Sequence, residues 1–224
     1  MIETISWEEF LLDKLFEIKA GKYHSSDEYE NGDTPYVSAS ATNNAISERI
    51  NLEYDFEGNV IITGKVGCTA FYQKENFCAT SDVNIFIAKN FEMNYKIGLF
   101  IVTIINFSEN YKWGYGRQCR VNDSKKIIIK LPIQLDSSNK PIIDDKLLYS
   151  ENGYIPDWKF MEKYIENLEK NNFPIDYIDH FEEKFGLEIE KSNENKVKSN
   201  ISKETNKDEE IEKEKKKEFD ITDI

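Results

Sequence analysis

The chain has 224 residues, of which 39% are hydrophobic and 32% charged, and its formal net charge is −13 at pH 7. That length can bury one sizeable core and carry an appendage. The longest apolar run, Ile97 to Phe107, is too short to span a bilayer, and Thr103 and Asn106 interrupt it, so no membrane association is expected.

The N-terminal MIETISWEEF has neither the basic nor the apolar region of a secretory signal. Cys68, Cys78 and Cys119 lack CxxC spacing, and His24 and His180 lie far apart. No zinc constellation emerges, so neither a metal nor a cofactor is expected. Reduced thiols and a cytoplasmic location are the corresponding expectations.

Ser6-Trp7-Glu8-Glu9 fits a capping box, and Trp7, Phe10, Leu11 and Leu15 follow at helical spacing, which predicts a helix over 7–15. Residues 16–21 (FEIKAG) read as a strand, and Asn31-Gly32 as a turn in the polar loop that follows. Pro35 to Ser38 predicts a strand and 39–46 (ASATNNAI) a loop. Strands are expected at 59–63, 70–73 and 82–88. Residues 94–106 are apolar on nearly every side, the mark of a buried helix, and 125–131 (KKIIIKL) reads as a strand closed by Pro132.

Asp157 can cap a helix running to about 171, with Trp158, Met161, Tyr164, Ile165 and Leu168 in one stripe. Pro174 breaks that pattern, and a short helix over 176–185 is expected after it. From Lys191 onward aromatics nearly vanish and mixed charge dominates, as in a disordered tail. The expected organisation is therefore a mixed α/β globule over 1–156, helices over 157–190 and a charged tail over 191–224.

Charge is unevenly spread. Residues 101–130 carry Lys112, Arg117, Arg120, Lys125, Lys126 and Lys130 against Glu109 and Asp123, a net of about +4 in an acidic chain. The densest piece is WGYGRQCR at 113–120. Glycines there allow a ligand close to the backbone, and arginines neutralise phosphates or fork onto guanine, while Gln118 matches an adenine edge. The same string also fits a tight turn whose arginines pair with the acidic surface. Gly64-Lys65-Val66-Gly67 lacks the P-loop pattern and fits a β-turn. The amides of 38–44 suit adenine edges or ordinary turns.

No catalytic constellation stands out. Pro156-Asp157 with Glu182-Glu183-Lys184 imitates a PD…ExK nuclease string, but both halves fall on predicted helices. There is no G-x-S-x-G and no dinucleotide fingerprint. No catalytic residue is expected.

Taken in order, SWEEFLLDKLFEIKAGK (6–22), DTPYVSASATNNAI (33–46), EGNVIITGKVGCTAFYQKENFCATSDVNIF (57–86), KWGYGRQCR (112–120), KIIIKLP (126–132) and PDWKFMEKYIENL (156–168) resemble one family. It is the target recognition domain of type I restriction–modification specificity subunits, with type IIB and IIG relatives. The resemblance implies an α/β domain that grips double-stranded DNA, a following spacer helix, and a non-catalytic role. Partner methyltransferase and restriction subunits would carry the chemistry.

A full specificity subunit has two such domains and two spacer helices, and one of each is visible here. The resemblance thus implies either a homodimer through Trp158, Met161, Tyr164, Ile165 and Leu168 or pairing with another recognition domain; the alternative is that the stripe packs on its own domain. Phosphate contacts are expected from Lys112, Arg117, Arg120, Lys125 and Lys65, and base contacts from Asn43, Asn44, Gln118, Tyr115 and Tyr72. Five phosphate contacts correspond to a log–log salt slope of about −4 to −5. The competing expectation is a non-catalytic interaction protein that occupies a modification complex through the spacer helix without reading DNA.

Overall fold

The computed structural model describes residues 7–172. The chain divides into two compact units, Met1–Asn167 and Leu168–Ile224. Of the second unit only 168–172 are described. The helix expected over 176–185 and the tail over 191–224 lie outside the described residues.

The elements, in order, are β1 (Trp7–Leu11), α1 (Leu12–Leu15), β2 (Phe16–Ala20), β3 (Asn31–Val37), a 3-10 turn (Asn43–Ala45), β4 (Ile46–Ile50), β5 (Val60–Gly64), β6 (Ala70–Gln73), β7 (Cys78–Ala79), β8 (Val83–Ala88), α2 (Tyr95–Glu109), a second 3-10 turn (Asn110–Lys112), α3 (Val121–Ser124), β9 (Ile128–Pro132) and α4 (Trp158–Asn172). The expected mixed α/β class holds. Among the described residues three small sheets run in the orders β1-β9, β2-β8-β5-β6 and β4-β3-β7.

The four-stranded sheet organises the domain because its central strands, β5 and β8, are apolar on both faces. On β5, Ile61 belongs to the cluster that contains Phe100, Ile101 and Ile105 of α2. Its neighbours Val60 and Ile62 belong to the opposite cluster, with Val37, Ala79 and Phe77. On β8, Phe86 and Ile85 divide the same way. Alternating side chains thus bury α2 against one face and the β4-β3-β7 sheet against the other. Residues 94–106, expected to be a buried helix, form most of α2. Its N-cap is Asn94, whose Oδ1 accepts from the amides of Lys96 and Ile97 at 3.1 Å each. Gly98 lets α2 approach the sheet: a Cβ there would lie 2.4 Å from a ring carbon of Tyr72.

Several expectations are corrected. Trp7–Leu11 is a strand, antiparallel to β9 with Phe10 opposite Ile129, and helix begins only at Leu12. Glu9 lies in that ladder opposite Lys130, so it caps no helix. Helical spacing at 7, 10, 11 and 15 was outweighed by a strand partner about 120 residues away. Asn31-Gly32 belongs to β3, where the register against β4 shifts between Asn31 and Thr34. The strand expected from Lys125 starts at Ile128, because Val121–Ser124 close a helical turn first. Strands β4 and β7 carry no local pattern that announces them: β4 reads ISERI and β7 is two residues long.

Helix α4 starts as expected, with Asp157 Oδ1 accepting the Phe160 amide at 3.0 Å. Part of its apolar stripe packs on its own domain. Trp158 stacks on Phe91 at 4.0 Å between ring centroids, Met161 is fully buried, Tyr164 meets Phe100 edge-on at 5.6 Å, and Ile165 packs on the same cluster. Of the expected stripe, Met161 is thus taken up by the domain's own core, while Trp158, Tyr164 and Ile165 are half-buried against the aromatics of α2 and the Phe91 loop. Leu168 falls in the second unit. Among the described residues no helix is long and apolar enough to cross a membrane.

Candidate nucleic-acid interface

The segment 113–120 is a hairpin. The Gly114 amide donates to the Arg117 carbonyl at 3.1 Å, and the Arg117 amide returns a bond to Gly114 at 3.0 Å. Tyr115 and Gly116 form the tip. Tyr115 is 89% exposed, and a Cβ added at Gly114 or Gly116 meets nothing within 4 Å. Neither glycine has a positive φ. Nothing inside the domain requires glycine there, so the bare backbone faces outward.

The base of the hairpin is fixed from below. Asn84, buried on β8, donates from Nδ2 to the Cys119 carbonyl at 2.7 Å and to Ser124 Oγ at 3.1 Å. The Cys119 amide donates to the Lys65 carbonyl at 2.7 Å, which joins the hairpin to the β5–β6 turn. Cys119 Sγ lies 3.3 Å from Ser124 Oγ, so its side chain points inward while Gln118 and Arg120 flank it. A hydrogen bond with Cys119, reinforced by burial, pushes the Cys68 thiol up and keeps it protonated.

The cations of this region differ in how far they are neutralised. Lys112 Nζ lies 2.7 Å from Glu109 Oε1, and Trp113 Nε1 donates to Glu109 Oε2 at 3.1 Å, although Glu109 is only 3% exposed. This bond raises the Lys112 pKa above its ordinary value. Lys125 Nζ is 3.8 Å from Asp13 Oδ1, and Lys130 Nζ is 3.9 Å from Glu9 Oε1. Lys65 donates to the Ser81 carbonyl and lies 3.9 Å from Asp82, so the phosphate role expected of it is taken by its own chain.

Arg117, Arg120 and Lys126 are exposed, and among the described residues none pairs with a carboxylate. The Arg117 guanidinium lies over the Trp113 ring, 4.8 Å from its centroid, a cation–π contact that holds it on the hairpin.

The amide loop lies alongside. Gly64, at the end of β5, sits against Ala39: a Cβ on Gly64 would be 3.3 Å from Ala39 Cα. Asn43, Asn44 and Ala45 have φ values of 52°, 49° and 61°, three consecutive left-handed residues. Such backbone costs about 1–3 kcal/mol per residue and tends to gather at functional loops.

Asn44 is held from inside: its Nδ2 donates to the Tyr72 carbonyl and to Gln73 Oε1, both at 3.2 Å, and Gln73 Nε2 donates to the Asn44 carbonyl at 2.8 Å. Asn43 is exposed, with its amide nitrogen on the Ile46 carbonyl at 2.8 Å. Tyr72 packs on Gly98 and donates to Asn59 Oδ1, and burial pushes its hydroxyl up to about 12. Asn44 and Tyr72 therefore shape the loop rather than offer free edges.

Two aromatics were missed in the sequence. Phe107 is 85% and Tyr111 79% exposed, four residues apart and ahead of Tyr115. The signal was present as F-x3-Y-x3-Y, but an apolar run masks it when the run is read as wholly buried.

One group among the described residues has the proximity a metal ion needs: His24, Asp55 and Cys78, on loops and the strand beside β3.

Comparison with known proteins bears on these features. Residues 5–172 match the family model described as the type I restriction modification DNA specificity domain. A curated relative from Heyndrickxia coagulans, a specificity subunit of a type II restriction enzyme (S.BcgI), is 26% identical over 171 residues, 75% of this chain. The chain spans 45% of that relative's length.

Among solved structures, the S subunit of a type I restriction–modification system from M. genitalium is similar with a TM-score of 0.49 and 16% identity, over 59% of this chain and 36% of that one. The HsdS subunit from Thermoanaerobacter tengcongensis gives a TM-score of 0.49 and 11% identity, over 76% of this chain and 39% of that one.

Proposed function

The chain belongs to the type I restriction modification DNA specificity family, and from that premise we propose that it reads a sequence in duplex DNA and directs a partner methyltransferase to it. The partner subunits carry the chemistry. The curated relative is a restriction enzyme's specificity subunit, which supports this role.

The observation that carries the reading is the hairpin of 113–120. It places a bare glycine backbone, an exposed tyrosine and unpaired arginines together on an otherwise acidic chain. Local potential, not net charge, governs docking, because salt screens beyond about 8–10 Å. In this reading Arg117, Arg120 and Lys126 grip phosphates. Gln118, Tyr115 and Asn43 reach base edges, and Phe107 and Tyr111 add apolar contact beside them. Lys65, Lys112 and Lys125 support the loops.

The test is duplex binding by the full chain, alone and with its co-purified methyltransferase, followed by fluorescence anisotropy on a genomic-fragment library. Arg117→Glu combined with Arg120→Glu should abolish selective binding while circular dichroism stays unchanged. Undiminished binding by that folded variant would sink the assignment.

A further inference from the structure

We propose that His24, Asp55 and Cys78 bind one zinc-class divalent ion, which fastens the loop over 21–30 to the β4-β3-β7 sheet. The site is independent of the DNA-reading surface proposed above. One ligand atom from each residue lies within 4.8 Å of the other two. His24 Nε2 and Asp55 Oδ2 are 2.5 Å apart. Donors around a tetrahedral zinc stand about 3.3–3.8 Å apart, given bonds of about 2.0–2.3 Å. Small side-chain rotations that open the His–Asp edge to this spacing complete the geometry.

Each donor is placed by backbone that the fold already fixes. Cys78 is on β7, in register with Tyr36 of β3, and is fully buried. The Asp55 amide donates to the Phe77 carbonyl at 3.2 Å, which sets Asp55 beside Cys78. The Tyr36 hydroxyl accepts from the His24 amide at 3.2 Å and donates to the His24 carbonyl at 3.3 Å. The His24 and Asp55 side chains are 11% and 15% exposed, so the three donors converge in a mostly dry place.

The surroundings are those of metal ligands rather than of a bare ion pair. With Nε2 facing the donors, His24 Nδ1 lies 3.8 Å from Glu28 Oε2, so a carboxylate stands behind the imidazole. Metal-bound histidines commonly donate their other ring N–H to such a carboxylate, and a small closure of the 3.8 Å gap would make that bond here. Lys22 Nζ holds the other oxygen of Asp55 at 3.1 Å, leaving Oδ2 for the ion.

The buried thiol donates to the Glu53 carbonyl at 3.3 Å and also meets the Asp55 carboxylate, so sulfur and carboxylate already face one another. A divalent ion balances one thiolate and one carboxylate, the thiol proton leaving to solvent, and the cluster becomes neutral. Mixed sulfur, nitrogen and oxygen donors select zinc over magnesium or calcium. Three protein donors leave the fourth position to water.

The experiment uses the untagged full chain, stripped with a chelator and titrated with Zn2+ by calorimetry and with Co2+ by absorption. The proposal expects one equivalent per chain, a thiolate-to-cobalt charge-transfer band, and a higher Tm with zinc. Cys78→Ser and His24→Ala should each lose the equivalent, the band and the Tm shift. Glu28→Gln should bind about tenfold more weakly.

His180→Ala controls for a ligand outside the described residues and should leave binding intact. Retained affinity in folded Cys78→Ser, loss of binding in His180→Ala, or absence of a stoichiometric equivalent in the wild type would each overturn the site.

Discussion

The carboxamide nitrogen of Asn84 donates to the Cys119 carbonyl at 2.7 Å across 35 residues, both groups buried. This bond ties the central sheet to the exposed hairpin. Replacing Asn84 with leucine leaves the Cys119 carbonyl without that donor and Ser124 without a partner from β8. The expected cost is about 1–3 kcal/mol, read from urea denaturation. DNA affinity should fall further than stability alone explains, because the hairpin base loses its anchor.

Salt dependence discriminates among the cations. Lys65, Lys112 and Lys125 are engaged by their own chain, which leaves Arg117, Arg120 and Lys126 to release counterions. The log–log slope of duplex binding should be about −3, shallower than the −4 to −5 that five contacts imply. Lys112→Ala should leave the slope unchanged, and Arg120→Ala should reduce it by about 1. A slope steeper than −4 would mean that the engaged lysines turn over to phosphate.

Alkaline stability follows from Tyr72. Its hydroxyl is pushed up by burial to about 12 from 10.0. A group whose pKa is raised on folding stabilises fully below its unfolded pKa and loses that contribution as pH rises through the folded value. Thermal stability should therefore decline between about pH 10 and pH 12. Tyr72→Phe should show a shallower decline over the same window, measured by differential scanning calorimetry.

Met161 provides the check on α4. It is fully buried in the domain core. Met161→Ala should cost about 2–5 kcal/mol in chemical denaturation. Its sedimentation coefficient, measured where the variant is folded, should match the wild type. A change of oligomer without loss of stability would place this residue at an interface between chains instead.

The sequence carried the central parts of the domain because they are local. β5, β6, β8 and α2 each announce themselves by apolar runs or caps that a short window contains. β1 did not, because Trp7, Phe10 and Leu11 satisfy helical spacing and the competing information, the ladder to Ile128–Pro132, is remote in the chain.

For the interface, WGYGRQCR was visible as an anomaly of composition. The partners that distinguish Arg120 from Lys125 were not, since Asp13 and Lys125 are separated by more than 100 residues. His24, Asp55 and Cys78 show the same limit: metal spacing in sequence is informative only when ligands share a turn or hairpin. Here they meet through three separate segments.

Because among the described residues nothing lies within 4 Å of a Cβ added at Gly114 or Gly116, side chains introduced at this tip cost the scaffold almost nothing. Folding and target preference can then change separately. A library randomised over 114–116 should be rich in well-folded members that differ in what they select, which makes this short reverse bend a convenient place to retarget the protein.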